Sequence, residues 1–60
     1  MMGTLILTIQ NGDKSQTLYF KDISKAIETL VVLDRKYNHK YKIKLEIELP
    51  WGYETVIVLN

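Results

Sequence analysis

YKIKLEIELPWGYETVIVL, residues 41–59, is the stretch that decides the fold. Its first nine residues alternate between apolar and charged side chains, which is the period of a strand with one buried face. Pro50, Trp51 and Gly52 then fit a three-residue hairpin loop, with proline at the first turn position and glycine at the left-handed one. The stretch therefore predicts a hairpin. In it, Tyr53, Thr55, Ile57 and Leu59 lie opposite Leu49, Ile47, Leu45 and Ile43, while Glu54, Val56 and Val58 point to the outer face.

The beginning of the chain predicts a second hairpin. Residues 4–10 alternate, with leucine and isoleucine on one face, and Asn11-Gly12-Asp13 turns the chain. A tight Asn-Gly turn would set Leu7 against Gln16, whereas a four-residue loop over 11–14 sets it against Leu18. We expect the longer loop, because it pairs apolar residues, and a second strand over 15–20.

Between the hairpins the sequence predicts one amphipathic helix. Asp22 is suited to cap its N-terminus, and the helix is expected to run to about Tyr37, with Asn38 taking the left-handed conformation that ends it. The predicted apolar stripe is Ile23, Ala26, Ile27, Leu30, Leu33 and Tyr37.

Asp34 is the awkward residue of this helix, because ideal geometry puts it close to the middle of the apolar stripe. One interpretation is that the last turn overhangs the edge of the sheet, so that the carboxylate reaches water or a nearby lysine. The other is a buried, functional carboxylate.

The element order predicts an α+β fold, ββαββ, with one helix packed on a four-stranded mixed sheet. The first and last strands carry apolar residues on both faces and are therefore expected at the centre of the sheet. With a right-handed crossover they lie parallel to each other, and the strand order is 2-1-4-3. With its opening Leu5-Ile6-Leu7 and its length, the pattern resembles the β-grasp architecture, in particular the small immunoglobulin-binding domain of protein G. The chain contains no residue motif that indicates immunoglobulin binding, and a fold alone does not determine function.

Size and composition narrow the classes of function. Sixty residues with 47% hydrophobic content make one domain over 1–60, without room for a deep catalytic cleft. The absence of cysteine excludes disulfides and thiolate metal sites and suits a reducing compartment. No apolar run approaches the ~20 residues that span a bilayer, and the start lacks the features of a signal peptide. We expect a cytoplasmic, non-enzymatic protein without cofactor, metal, membrane or small-molecule ligand.

A basic segment over residues 35–44 is the first candidate for a partner site. Cations mixed with aromatic side chains can hold phosphates and stack bases, which favours a nucleic-acid-binding accessory domain. Cations are also typical of a solvated helix end, and the net charge is only +1. The candidate nucleic-acid residues are Arg35, Lys36, His39, Lys40, Lys42 and Lys44. The only histidine, His39, has no neighbouring nucleophile or patterned carboxylate in the sequence, so a catalytic role is not expected.

The stronger candidate is an apolar strip on the outer face of the sheet. Under the order 2-1-4-3, adjacent strands carry its members into one continuous strip, and contiguous apolar patches with a polar rim mark interaction sites. Trp51, at the hairpin tip, is a typical hot-spot anchor. The candidate protein-binding residues are Ile6, Tyr19, Val56, Val58 and Trp51. We therefore expect a protein–protein interaction domain that binds another protein or forms a homodimer. Compact, cysteine-free chains of one domain are common among phage and mobile-element inhibitors of host proteins, and we expect a function of that kind.

Overall fold

The computed structural model describes residues 3–59, in which one helix packs on a four-stranded sheet. The elements are β1 (Leu5–Asn11), β2 (Lys14–Phe20), α1 (Ile23–Lys36), β3 (Lys42–Leu49) and β4 (Gly52–Leu59). In the described part of the chain, no helix has the length and apolar character needed to cross a membrane.

The strand order is β2-β1-β3-β4, and every pair of neighbours is antiparallel. The predicted mixed sheet with order 2-1-4-3 is wrong. The connection after α1 is short, and the ring of Tyr41 at its end stacks on the ring of Tyr37 with the centroids 4.2 Å apart. This contact holds the start of β3 close to the end of the helix, where β3 pairs with β1. In the predicted order β3 would be the edge strand, one strand spacing of about 4.8 Å farther from β1.

The core lies between the helix and the first three strands of the sheet. The helix contacts β1, β2 and β3. Within residues 3–59, the buried apolar side chains are Leu5, Leu7, Ile9, Ala26, Leu30, Ile43 and Leu45. Ile57 and Leu59 of β4 pack against this cluster but stay partly exposed. β4 is thus attached mainly through β3 and lies beyond the cover of the helix.

The first hairpin confirms the predicted register, because Leu5 pairs with Phe20 and Leu7 with Leu18. The turn is shorter than predicted. Asn11 and Lys14 are themselves paired, so only Gly12 and Asp13 lie between the strands. Gly12 has φ +64, which glycine adopts without steric cost.

The second hairpin follows the predicted register at one end only. Ile43 pairs with Leu59 and Leu45 with Ile57, but the register shifts at Leu45/Glu46, and Glu46 then pairs with Thr55. Val56 is therefore the extra residue of a bulge, and Leu49 pairs with Gly52 across a two-residue turn. The predicted pairs Ile47–Thr55 and Leu49–Tyr53 are wrong, because the bulge moves every residue of β4 before it to the opposite face.

The helix begins and ends as predicted. The carboxylate of Asp22 accepts a hydrogen bond of 2.8 Å from the backbone N–H of Ser24, and Asn38 is left-handed with φ 54. The apolar stripe is covered less completely than predicted, since Ile23 and Ile27 are 42% and 36% exposed.

Candidate protein-binding surface and basic end

β3 divides the outer face of the sheet. Ile6 of β1 pairs with Tyr19 on one side, but on the other side it pairs with Glu46 of β3. Val58 of β4 pairs with Lys44 of β3. The predicted continuous strip of Ile6, Tyr19, Val56 and Val58 is therefore wrong, because it required β1 to lie beside β4. Two separate apolar groups remain, one on β2 and β1 and the other on β4.

The larger exposed apolar group lies along β4 and its turn. Its members are Trp51 at 75% exposure, Tyr53 at 61%, Val56 at 40% and Val58 at 48%. We call these four residues the β4 surface. Three of them were predicted, whereas Tyr53 was assigned to the helix side and was missed. The bulge at Val56 brings Tyr53 to the outer face, where Tyr53 pairs with Glu48.

The bulge also rearranges the carboxylates that the sequence places together. The predicted register sets Leu49 opposite Tyr53, and it therefore places Glu48 opposite Glu54 on the outer face. In the structure Glu54 pairs with Ile47, which puts it on the helix side of the sheet, and Glu48 faces Tyr53 instead. The hydroxyl of Tyr53 donates to Oε2 of Glu48 over 3.4 Å. A like-charge pair is thereby replaced by a hydrogen bond at the rim of the β4 surface.

A depression lies on the outer face of the sheet, between the β4 surface and β1. Val58 forms part of its wall, and the remaining wall comes from β1 and β3. Its volume is about 380 Å³. The lining residues are Thr8, Gln10, Lys42, Lys44 and Val58. An apolar wall beside hydroxyl, amide and ammonium groups suits a partner side chain that has both an apolar and a polar part.

The residues of the basic segment lie in different surroundings. Arg35 and Lys36 lie in the last turn of the helix, where cations interact favourably with the helix dipole. Lys36 Nζ lies 5.7 Å from the centroid of the Tyr37 ring. Lys44 lies on the outer face and forms an ion pair with Glu46. Lys40 and Lys42 share a depression, which Gln10, Asn11 and Gly12 complete, and Lys42 and Lys44 share the depression beside Val58.

A lysine outside the predicted segment joins this end of the molecule. Lys14 opens β2 directly across from Asn11. Asn11 lines two depressions, one on the helix side of the sheet and one on its outer face. The first contains Lys14 and the second Lys40 and Lys42. No sequence pattern indicates this, since Lys14 lies more than twenty residues from the segment and approaches it only through the pairing of three strands.

His39 has an orienting carboxylate that the sequence did not reveal. Its Nδ1 lies within hydrogen-bonding distance of Oδ2 of Asp34, whose side chain is 16% exposed. Asp34 thus has the histidine as its partner. His39 is itself left-handed with φ 60, and its N–H donates to the carbonyl of Asp34 over 3.0 Å. Two contacts therefore tie the histidine to the end of the helix. Within residues 3–59, no group of three or more His, Cys, Asp or Glu side chains could hold a metal ion.

Comparison with known proteins adds no family to this geometry: no family model, no curated protein and no solved structure matches the chain. The resemblance to β-grasp proteins stays a prediction, and only the strand order 2-1-4-3, which was predicted from the crossover and the apolar strands, is wrong.

Proposed function

We propose that the protein is a small, non-enzymatic protein–protein interaction domain and that it binds its partner through the β4 surface. The observation that carries the proposal is the position of β4, which lies at the edge of the sheet and beyond the helix. Its exposed aromatic and aliphatic side chains stay together on one strand and its turn. The partner is a second copy of the chain or a different protein.

The composition of the β4 surface supports this role. Tryptophan and tyrosine supply much of the binding energy at protein interfaces, in pockets surrounded by residues that exclude water. Trp51 and Tyr53 are the two most exposed of the four residues, and Val56 and Val58 extend the contact along β4. Lys44 and Glu48 provide the charged rim that is usual around an apolar interface.

The bulge argues for side-chain contacts rather than for addition of a strand. An open edge strand can pair with another chain through its backbone, and a bulge is one of the features that prevent such pairing. Val56 interrupts the regular ladder in the middle of β4. We therefore propose that the partner lies against the outer face of β4 and the Trp51 turn.

The small size and the cysteine-free composition suit an intracellular inhibitor of phage or mobile-element origin that acts by covering a surface of a host protein. Such an inhibitor needs no catalytic group, since occupancy of the surface is sufficient. A cytoplasmic location forms part of this proposal.

The test compares two double variants that add the same charge to the two halves of the outer face. Tyr53→Lys with Val58→Lys changes the β4 surface, and Thr17→Lys with Tyr19→Lys changes the β2 side. Self-association is measured by sedimentation, and association with a host protein by co-purification from the source cell. We expect the β4 variant to lose association and the β2 variant to keep it, while circular dichroism shows both folded.

Trp51→Ala refines the same test, because a hot-spot truncation costs about 2 kcal/mol or more, roughly thirtyfold in affinity. Association that survives in the β4 variant would contradict the proposal. A wild-type chain that stays monomeric and brings down no host protein would contradict it as well.

A further inference from the structure

We propose that the partner of the β4 surface is a second copy of the chain, packed face to face across a two-fold axis. The axis lies between the outer faces of the two sheets and crosses β3 at right angles. This inference rests on the proposed function, because it names the partner of the same surface. Two observations carry it, the order of the charges along β3 and the depression beside Val58.

The outer face of β3 is basic at one end and acidic at the other. Its residues follow in the order Lys42, Lys44, Glu46 and Glu48, so the charge changes sign at the middle of the strand. A two-fold axis across the strand at this point sets the two copies of β3 antiparallel. In such an interface each contact occurs twice. Lys42 of each copy then faces Glu48 of the other, and Lys44 faces Glu46.

The same charges disfavour the alternative face-to-face arrangement. A two-fold axis along β3 would set the two copies of the strand parallel, with lysines against lysines and glutamates against glutamates. Like charges held together across an interface are strongly unfavourable, and complementary charges fix the orientation of the partners. The charges of β3 therefore select the antiparallel arrangement, while the apolar residues beside them supply most of the affinity.

The bulge centres the β4 surface on this axis. Val56 is the extra residue between the Leu45 and Glu46 levels of β3, where the axis passes. β4 therefore packs on β4 of the other copy, with Val56 at the centre and Tyr53 over the end that carries Val58. These three residues of the β4 surface are 40–61% exposed in the single chain. The dimer buries them as two sheets bury their facing side chains in a sandwich.

The depression beside Val58 receives the tyrosine of the other copy. Tyr53 pairs with Glu48, so the axis carries Tyr53 to the level of Lys42, which lines the depression together with Val58. The ring packs against the valine, and the phenolic oxygen accepts a hydrogen bond from the ammonium group of the lysine. One symmetry operation thus buries an exposed aromatic side chain and fills a depression of about 380 Å³.

The experiment reverses the charges of β3 one half at a time. Lys42→Glu with Lys44→Glu makes the row entirely acidic, and Glu46→Lys with Glu48→Lys makes it entirely basic. Sedimentation equilibrium up to millimolar concentration should find the wild-type chain dimeric and each variant weakened at least about hundredfold in self-association. An equimolar mixture of the two variants should regain the mass of a dimer, because every acidic position then faces a basic one.

Two further measurements separate this arrangement from a general effect of charge. Lys21→Glu with Lys25→Glu makes the same change of charge outside the sheet and, at physiological salt, should weaken association less than about threefold. In a mixture of isotope-labelled and unlabelled wild-type chain, an intermolecular nuclear Overhauser effect should join the ring of Tyr53 to the methyl groups of Val58. These two residues lie near opposite ends of β4, so contact within one chain does not produce the signal.

Three results would overturn the inference. They are a wild-type chain that stays monomeric at millimolar concentration, folded charge variants whose mixture does not dimerise, and a dimer without the signal between Tyr53 and Val58. The first result leaves the proposed function standing if a host protein still co-purifies with the wild type and is lost from Tyr53→Lys with Val58→Lys. A monomer that also brings down no host protein would overturn both proposals.

Discussion

Lys44 and Glu46 form an ion pair in the middle of the outer face, with Nζ of the lysine 3.7 Å from Oε1 of the glutamate. Both residues belong to β3, which lies between the two apolar groups of this face. Glu46 separates Ile6 from Thr55, and Lys44 separates Thr8 from Val58. The ion pair thus keeps a face with apolar side chains on both sides from becoming one large apolar patch.

Lys44→Val with Glu46→Val should therefore cause self-association or aggregation. The two substitutions join Ile6 and Tyr19 to the valines of β4 across the whole sheet, and a patch of that kind promotes association. Sedimentation at increasing protein concentration measures the effect. Lys25→Val with Glu28→Val, which removes the same charges from the exposed side of the helix, should leave the chain less associated. Equal behaviour of the two variants would show that the ion pair has no such role.

Gly3→Ala should destabilise the fold. A Cβ at this position would clash with the backbone oxygen of Glu48, because the chain before β1 runs close against β3. Thr4 accepts a hydrogen bond from the N–H of Glu48 at the same place. Forcing additional atoms into a packed site costs about 1–3 kcal/mol, which in a domain of this size lowers Tm by about 4 °C or more.

Thermal unfolding measures this loss, with Gly12→Asn as the control. Gly12 has φ +64 and open space around it, and asparagine tolerates that conformation. The control should change the stability by about 0.5 kcal/mol or less. An unchanged Tm for Gly3→Ala would mean that the start of the chain does not lie against β3.

The pairing of Asp34 with His39 should give a measurable coupling energy. Asp34→Asn, His39→Gln and the double variant form a thermodynamic cycle, which isolates the interaction from the other effects of each change. Because the histidine side chain is 72% exposed, we expect a coupling of about 0.2–1 kcal/mol, the range for exposed pairs. Chemical denaturation measures it, and additive effects of the two substitutions would contradict a stabilising contact.

The local parts of the fold were predictable from the sequence. Asp22 begins the helix and Asn38 ends it because their own backbone and side chains satisfy the helix termini. The register of the first hairpin follows from the pairing of Leu7 with Leu18, which keeps the apolar residues on one face. These features depend on residues that are close in the chain.

The order of the strands was not predictable by the same reasoning. β1 and β4 both carry apolar residues on two faces, which favoured placing them at the centre, whereas β3 alternates with lysine and glutamate. An antiparallel sheet covered on one face accepts such an alternating strand at its centre, because the charged side chains reach water on the open face. The stacking of Tyr41 on Tyr37 at the start of β3 depends on the path of the chain after the helix.

The bulge at Val56 was not predictable from the sequence either. Residues 53–59 have the pattern of an uninterrupted strand, and the three-residue loop set Tyr53, Ile57 and Leu59 opposite the apolar Leu49, Leu45 and Ile43. The two-residue turn shifts the pairing by one position near the tip, and the bulge restores it before Ile57. The candidate site changed with it, since Tyr53 moved onto the outer face and Glu54 moved off it.

The position of β3 between β1 and β4 is the claim on which the divided outer face and the exposed β4 surface both depend. The most direct measurement is disulfide formation in Thr8→Cys with Lys44→Cys, in a chain that has no other cysteine. Thr8 and Lys44 are directly paired, and facing residues of neighbouring strands lie within the about 4.4–6.8 Å Cα separation that a disulfide requires. We predict that this variant forms an intramolecular disulfide under mild oxidation, measured by mass spectrometry, and that Thr8→Cys with Val58→Cys keeps free thiols. A disulfide between positions 8 and 58, with free thiols at 8 and 44, would contradict the account.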